Sequence, residues 1–199
     1  MEFLRNQGIS HLVVACNAMS TVLPYWSING AAMDFHITGV IQPTISAVLA
    51  FEGVKVGVLG RRRTILSGAY SRPLRKNFRS VTQRIAQPLS AFIEKGEKDM
   101  PLFQSTLKKI VMPLNETDIL LLACTHYSAA QDAFQKLAPS AKIINPTLET
   151  FQWVSKNWRL VKNSASDIFY ATGNPAEMRT SSLKAFGVTI GEITSISLR

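Results

Sequence analysis

Two stretches decide the reading of this chain: Leu12-Val13-Val14-Ala15-Cys16-Asn17 and Leu120-Leu121-Leu122-Ala123-Cys124-Thr125. Each is a short apolar run that ends in Ala-Cys and a small polar residue. A continuous run of this kind, rather than an alternating one, is the pattern of a parallel strand buried on both faces. Each run is followed by a helix-like stretch. In an open α/β sheet, ligands bind just beyond the carboxyl ends of the strands. Both thiols therefore fall where chemistry takes place, and they are the only two in the chain. Two thiols on opposite sides of one carbon can take a proton from one face and deliver one to the other. A single strand-end cysteine reads as a small buried hydrophobe; the matched pair with polar neighbours favours function. A helix beginning just beyond a thiol favours the thiolate, its reactive form.

Working outward, short apolar runs alternate with helix-like segments, the α/β pattern. Strands are expected at 11–15, 36–41, 54–59, 81–86, 118–123, 141–144 and 167–171. Helices are expected at 18–29, 43–51, 62–78, 88–95, 101–112, 127–138, 147–160 and 175–186. Pro43 suits the first turn of a helix, Gly53 the turn out of it, and Pro146-Thr147 the opening of another. Pro73 predicts a kink or an end inside 62–78. Gly39-Val40-Ile41-Gln42-Pro43 reads as a crossing between two lobes, and Asn145-Pro146 as the return. Residues 40–145 then form one compact α/β lobe, and residues 1–39 with 146–199 come together in another.

The 199 residues are 46% hydrophobic, with a mean hydropathy of +0.10, enough for a sizeable core. The longest clean apolar run, Ile119 to Cys124, is too short to span a membrane, and Met1-Glu2-Phe3-Leu4-Arg5 lacks a signal-peptide pattern. Two cysteines without Cys-x-x-Cys spacing encode no disulfide framework, so a soluble cytoplasmic protein with free thiols is expected. His11, His36 and His126 are too dispersed for a metal site. No Gly-x-Ser-x-Gly elbow, P-loop or Gly-x-Gly-x-x-Gly fingerprint occurs. The net charge is +9, densest at Arg61-Arg62-Arg63 with Arg72, Arg75, Lys76 and Arg79 following. No aromatic interleaving or nucleic-acid motif accompanies it, so nucleic acid is not the expected partner. A positive field serves equally well to draw in a small anion.

The residues around the two cysteines resemble those of glutamate racemase, within the aspartate/glutamate racemase superfamily. Val13-Val14-Ala15-Cys16-Asn17 and Leu122-Ala123-Cys124-Thr125-His126-Tyr127 are similar to its two cysteine motifs. Gly39-Val40-Ile41-Gln42-Pro43 resembles its inter-lobe strand. Val56-Gly57-Val58-Leu59-Gly60, with Thr64 and Ser67-Gly68-Ala69-Tyr70, resembles the strand, loop and helix that follow. Gln87-Pro88-Leu89 through Phe92-Ile93-Glu94-Lys95-Gly96 resembles a further element. The resemblance covers nearly the whole chain. It implies an α/β fold of two pseudo-symmetric flavodoxin-like lobes with parallel sheets and the substrate between them. It further implies a cofactor-independent racemase acting on glutamate, with Cys16 and Cys124 as paired acid and base. His126 resembles the histidine that assists the second cysteine, and Glu94 the acidic residue near it. Asn17, Thr64 and Thr125 correspond to positions that bind the substrate's polar groups or line their pocket. D-glutamate made this way would feed cell-wall (peptidoglycan) precursor synthesis. A homodimer stays open.

The chain also departs from that pattern. The family's early Asp-Ser-Gly and Pro-Tyr-Gly motifs are not found, since only Met1–Gly8 precede the Cys16 strand. The expectation is therefore an incomplete N-terminal lobe and a poor racemase, with the first cysteine lacking its acidic partner. Ala18, Ser128 and Arg61 stand where the family usually has Thr, Pro and a small residue; Arg61 lies near the expected anion site. Residue by residue, plainer roles exist. Glu94 could belong to an ordinary solvated helix end with Lys95, Glu97 and Lys98, and Thr64 and Ser67 suit capping or packing. Trp26, Trp153 and Trp158 read as core or lobe-interface aromatics, and Asp34 and Asp167 get no role. Two alternatives remain beside the glutamate racemase: a non-catalytic fragment or remnant of one, and a related superfamily racemase with another substrate.

Overall fold

The computed structural model describes residues 2–24, 36–161 and 164–197. Its centre is a four-stranded, all-parallel sheet in the order β4-β3-β5-β6, built from β3 (Lys55–Gly60), β4 (Ser80–Ile85), β5 (Ile119–Ala123) and β6 (Lys142–Ile144). β5 is the apolar run that leads to Cys124, and every one of its residues is buried. Because successive side chains leave a strand on opposite faces, β5 feeds two cores. Leu120 and Leu122 join Leu59, Leu89, Ile93, Phe103, Leu107 and Phe134 on one face. Ile119, Leu121 and Ala123 join Val56, Val58, Ile45, Tyr70 and Leu74 on the other. Each fully buried leucine contributes about 1.5–3 kcal/mol relative to exposure, which is why an uninterrupted apolar strand settles in the middle of a sheet and not at its edge.

The helices that cover the sheet carry their own sequence reasons. α3 (Ile41–Val48) has Pro43 in its first turn, and Gly53, with φ 66°, turns the chain into β3. The expected helix 62–78 is two helices, α4 (Arg62–Leu66) and α5 (Ser71–Leu74). The break falls at Gly68, whose φ of 65° lies in the left-handed region, and not at Pro73. Pro73 sits early in α5, where backbone N–H groups have no intrahelical partner to lose. α6 (Gln87–Lys95) ends in a left-handed Gly96, and α7 (Pro101–Val111) starts on its proline. Only the later part of the expected helix 127–138 is α-helical, as α8 (Gln131–Leu137); Thr125–Ala130 is a 3-10 turn. α9 (Pro146–Asn157) is capped by Asn145, whose side-chain oxygen accepts from Thr147 N at 3.0 Å. α10 (Pro175–Phe186) is capped by Asn174.

Two smaller parallel pairs complete the fold. β1 (His11–Val14) pairs with β2 (His36–Gly39), with His11 opposite His36 and Val14 opposite Gly39. β7 (Phe169–Ala171) pairs with β8 (Ile193–Ser195). The short helix Glu2–Asn6, which the sequence did not announce, sends Phe3 edge-on to Tyr170 at 4.9 Å. Gln7 accepts a hydrogen bond from Tyr170 Oη at 2.8 Å. Trp158 lies 4.7 Å from the His11 ring. The segment after residue 145 thus touches both parts of the molecule: α9 packs on α3 and α10 on α6, whereas Trp158 and Tyr170 reach the N-terminal segment. The parallel α/β architecture follows the sequence reading. Residues 25–29 of the expected helix 18–29, together with Trp26 and Asp34, lie outside the described residues.

Candidate active site

The two cysteines occupy the same local position. Cys16 follows β1 and is the N-cap residue of α2 (Asn17–Ser20), with extended backbone at φ −100°, ψ 120°. Cys124 follows β5 and caps the 3-10 turn Thr125–Ala130, with φ −153°, ψ 127°. Both are free thiols; Cys16 is exposed and Cys124 buried. Burial pushes the Cys124 thiol up from its ordinary value, against the backbone N–H of His126 and the positive charge of Arg61, while a charge on Cys16 would raise it further. The two thiols are thus within electrostatic reach of each other although 108 positions (124 − 16) separate them in sequence.

A line of side chains leads away from Cys124. His126 Nδ1 stands 3.9 Å from Cys124 Sγ. The other ring nitrogen, Nε2, is 4.0 Å from Glu94 Oε2 at the end of α6. A histidine between a thiol and a carboxylate can pass a proton to the sulfur or take one from it. Glu94 is 59% exposed, so its pull on the ring is softened by water. The ring also faces Phe186 of α10 at 6.5 Å. Sequence reading named Cys124, His126 and Glu94, and all three come together here.

The other named residues surround the same strand ends. Asn17, directly after Cys16, is 3% exposed, and its Oδ1 accepts a hydrogen bond from Tyr70 Oη at 2.6 Å. Its Nδ2 has no partner among the described residues. Thr64 on α4 is 2% exposed, and its Oγ1 is likewise unpartnered. Such groups are costly to bury unsatisfied, and the two sit on helices that pack together, α2 and α4. Thr125 is half-buried beside Cys124. Tyr70 and Tyr127 were given no role in the sequence. Tyr127 donates to Ala86 O at 2.7 Å, and burial raises both phenols above the ordinary tyrosine value. Nothing local to Tyr70 signals a partner 53 positions away; only the fold makes that pair.

No helix among the described residues is long and apolar enough to cross a membrane. No group of three or more His, Cys, Asp or Glu side chains among the described residues could hold a metal ion.

Comparison with known proteins agrees with this fold. Over 182 residues the chain is 29% identical to the glutamate racemase of Persephonella marina, covering 88% of this chain and 69% of that protein. The fold superposes on a glutamate racemase from Bacillus anthracis with a TM-score of 0.84 at 24% identity, covering 99% of this chain and 77% of the other. It superposes on the glutamate racemase of Francisella tularensis, solved with D-glutamate, with a TM-score of 0.82 at 22% identity, covering 98% and 76%. The Asp/Glu/Hydantoin racemase profile matches residues 1–153, from before the Cys16 strand to within α9. With both thiol-bearing strands inside that match, the chain belongs to the Asp/Glu/hydantoin racemase family.

Proposed function

We propose that the chain interconverts L- and D-glutamate without a cofactor, by proton transfer at Cα between Cys16 and Cys124. One thiolate removes the α-proton, and the bonding pair stays on Cα and delocalises into the α-carboxylate. The opposite thiol then delivers a proton to the other face, so the C–H bond lost on one side is regained on the other. His126, oriented by Glu94, loads and unloads Cys124, and Asn17, Thr64 and Thr125 hold the substrate. Residues 1–39 with 146–199 form the lobe of one thiol and residues 40–145 that of the other. The observation that carries this is the matched pair of strand-end thiols, each capping the turn or helix that follows its strand, one of them backed by His126 and Glu94. D-glutamate formed this way would supply cell-wall precursor synthesis.

The α-proton is weakly acidic, so the rate depends on donors at the carboxylate and on exclusion of water. Cys16 is exposed, and water at that face weakens each electrostatic contact. Turnover is therefore slow compared with a closed site. The same exposure favours a second reading, in which the chain binds glutamate without racemising it. Incubating the purified chain with each enantiomer in deuterium oxide separates the two. Racemisation with deuterium at Cα, lost in Cys16→Ala and in Cys124→Ala, supports the two-thiol reaction. Binding without deuterium entry supports the second reading, and racemisation that survives loss of either thiol sinks the mechanism.

A further inference from the structure

We propose that Arg61 is a substrate anchor in this site, gripping the α-carboxylate of the amino acid beside Cys124. This rests on the racemase reading above and adds a residue to it.

The position follows from strand register. β3 and β5 are neighbours, with Gly60 directly opposite Ala123. The next residue on each strand is Arg61 and Cys124, so the two leave adjacent parallel strands at the same level, about 4.8 Å apart in backbone spacing. A Cβ on Gly60 would already meet Ala123 O at 3.3 Å, so the two strand ends are tight against one another. Arg61 is the N-cap of α4, with extended backbone. α4 in turn packs against α2, the helix that begins after Cys16. Arg61 thus stands at the head of a helix that starts beside the second thiol and touches the helix of the first.

The chemistry of its surroundings is one-sided. Arg61 is exposed and, among the described residues, makes no salt bridge with a carboxylate. Two buried side-chain atoms among the described residues lack a partner: Asn17 Nδ2 on α2, a donor whose amide oxygen is already taken by Tyr70, and Thr64 Oγ1, a hydroxyl one turn along from Arg61 on α4. A guanidinium, an amide N–H and a hydroxyl can each donate to a carboxylate. The positive charge of Arg61 also pulls the Cys124 thiol and the Tyr127 phenol down, against the burial that raises them. The carbon that exchanges its proton must lie beside that thiol, and its α-carboxylate is one bond away. The side-chain carboxylate of glutamate is three bonds away. A positive charge beside Cys124 therefore faces the α-carboxylate, where it also steadies the negative charge that forms when Cα loses its proton.

The test uses the full chain and the variants Arg61→Met and Arg61→Lys, with L-glutamate binding measured by calorimetry and α-deuterium exchange by NMR. The expected result is at least a tenfold loss of glutamate affinity in Arg61→Met, partial recovery in Arg61→Lys, and unchanged thermal unfolding. Exchange should fall further than affinity, because the contact strengthens as charge develops. Alkylation of Cys124 by a neutral reagent should shift to higher pH in Arg61→Met, a change that a merely structural role would not produce. If wild-type chain exchanges the α-proton while Arg61→Met matches it in affinity and rate, the anchor is overturned and the racemase reading stands. If wild-type chain binds glutamate through Arg61 but exchanges nothing, the anchor stands and the racemase reading fails. If wild-type chain neither binds nor exchanges, both are overturned.

Discussion

At the scale of single residues, the site divides into groups that handle the proton and groups that set the cost of a buried charge. His126 is the nearest titratable partner of Cys124, at 3.9 Å. His126→Asn should lower exchange at the Cys124 face by about a hundredfold or more, the usual contribution of a positioned acid–base group. Glu94 is mostly exposed, so Glu94→Gln should stay within about tenfold. Initial exchange rates from each pure enantiomer check both. Cys124, Tyr70 and Tyr127 are all raised by burial, from ordinary values of 9.0 for the thiol and 10.0 for the phenols. The folded protein therefore holds these protons where the unfolded chain has released them. The stability that follows is complete below about pH 9 and drains away as pH climbs through the raised values. Melting temperature should fall steeply above pH 9, and less steeply in Cys124→Ala; equal slopes would remove Cys124 from the account. Tyr70→Phe leaves the buried Asn17 oxygen without its donor, a loss of about 1–3 kcal/mol. Calorimetric melting should register it as a drop of roughly 2–4 °C per kcal/mol for a chain of this length.

At the scale of elements, the first thiol is held by a junction with little room. Ser20 Oγ donates to Val14 O at 3.0 Å and accepts from Val40 N at 3.2 Å, fastening α2 to the ends of β1 and β2. A Cβ on Gly39 would come within 2.6 Å of that same oxygen and of Leu23 Cδ1. Gly39→Ala should therefore destabilise by about 1–3 kcal/mol, as overpacking does, and urea unfolding will show whether it does. Much of this scale was legible in the sequence. The strands leading to Cys16 and Cys124, β3, and the helices opened by Pro43 and Pro146 carry long apolar runs or strong punctuation. β8 escaped notice because Ile193-Thr194-Ser195 is three residues long, with one buried side chain, and gives no periodicity to count. The break inside 62–78 was assigned to Pro73, because proline is the louder signal. Gly68 took it instead, since a left-handed residue ends a helix wherever it falls, while a proline in a first turn ends nothing. In the site, Cys124, His126 and Glu94 could be named from local spacing and resemblance. The Tyr70–Asn17 bond could not, because it joins segments that only tertiary folding brings together.

At the scale of the whole molecule, charge is distributed very unevenly. Residues 53–93 hold nine Lys and Arg and no Asp or Glu, and the rest of the chain holds 13 of each sign (22 − 9 and 13), so the whole net charge of +9 resides in this stretch. It includes Arg61 and the edge strand β4, whose residues are mostly exposed. A positive field beside the site should speed capture of an anionic amino acid and should be screened by salt. Raising ionic strength from roughly 50 to 300 mM should raise KM severalfold with little change in kcat; a salt-independent KM would show that the field plays no part. The four strands around Cys124 have another consequence. They occupy one uninterrupted run, residues 55–144, and among the described residues no later strand joins them. Chains are made from the N-terminus and fold unit by unit. The strand that carries the second thiol can therefore be paired on both sides on the ribosome while residues 145–199 are still being added, whereas the first thiol is open to the solvent. Two chemically identical groups with one shared task thus reach it with different histories of exposure to oxidants, and oxidative damage during synthesis should collect on Cys16.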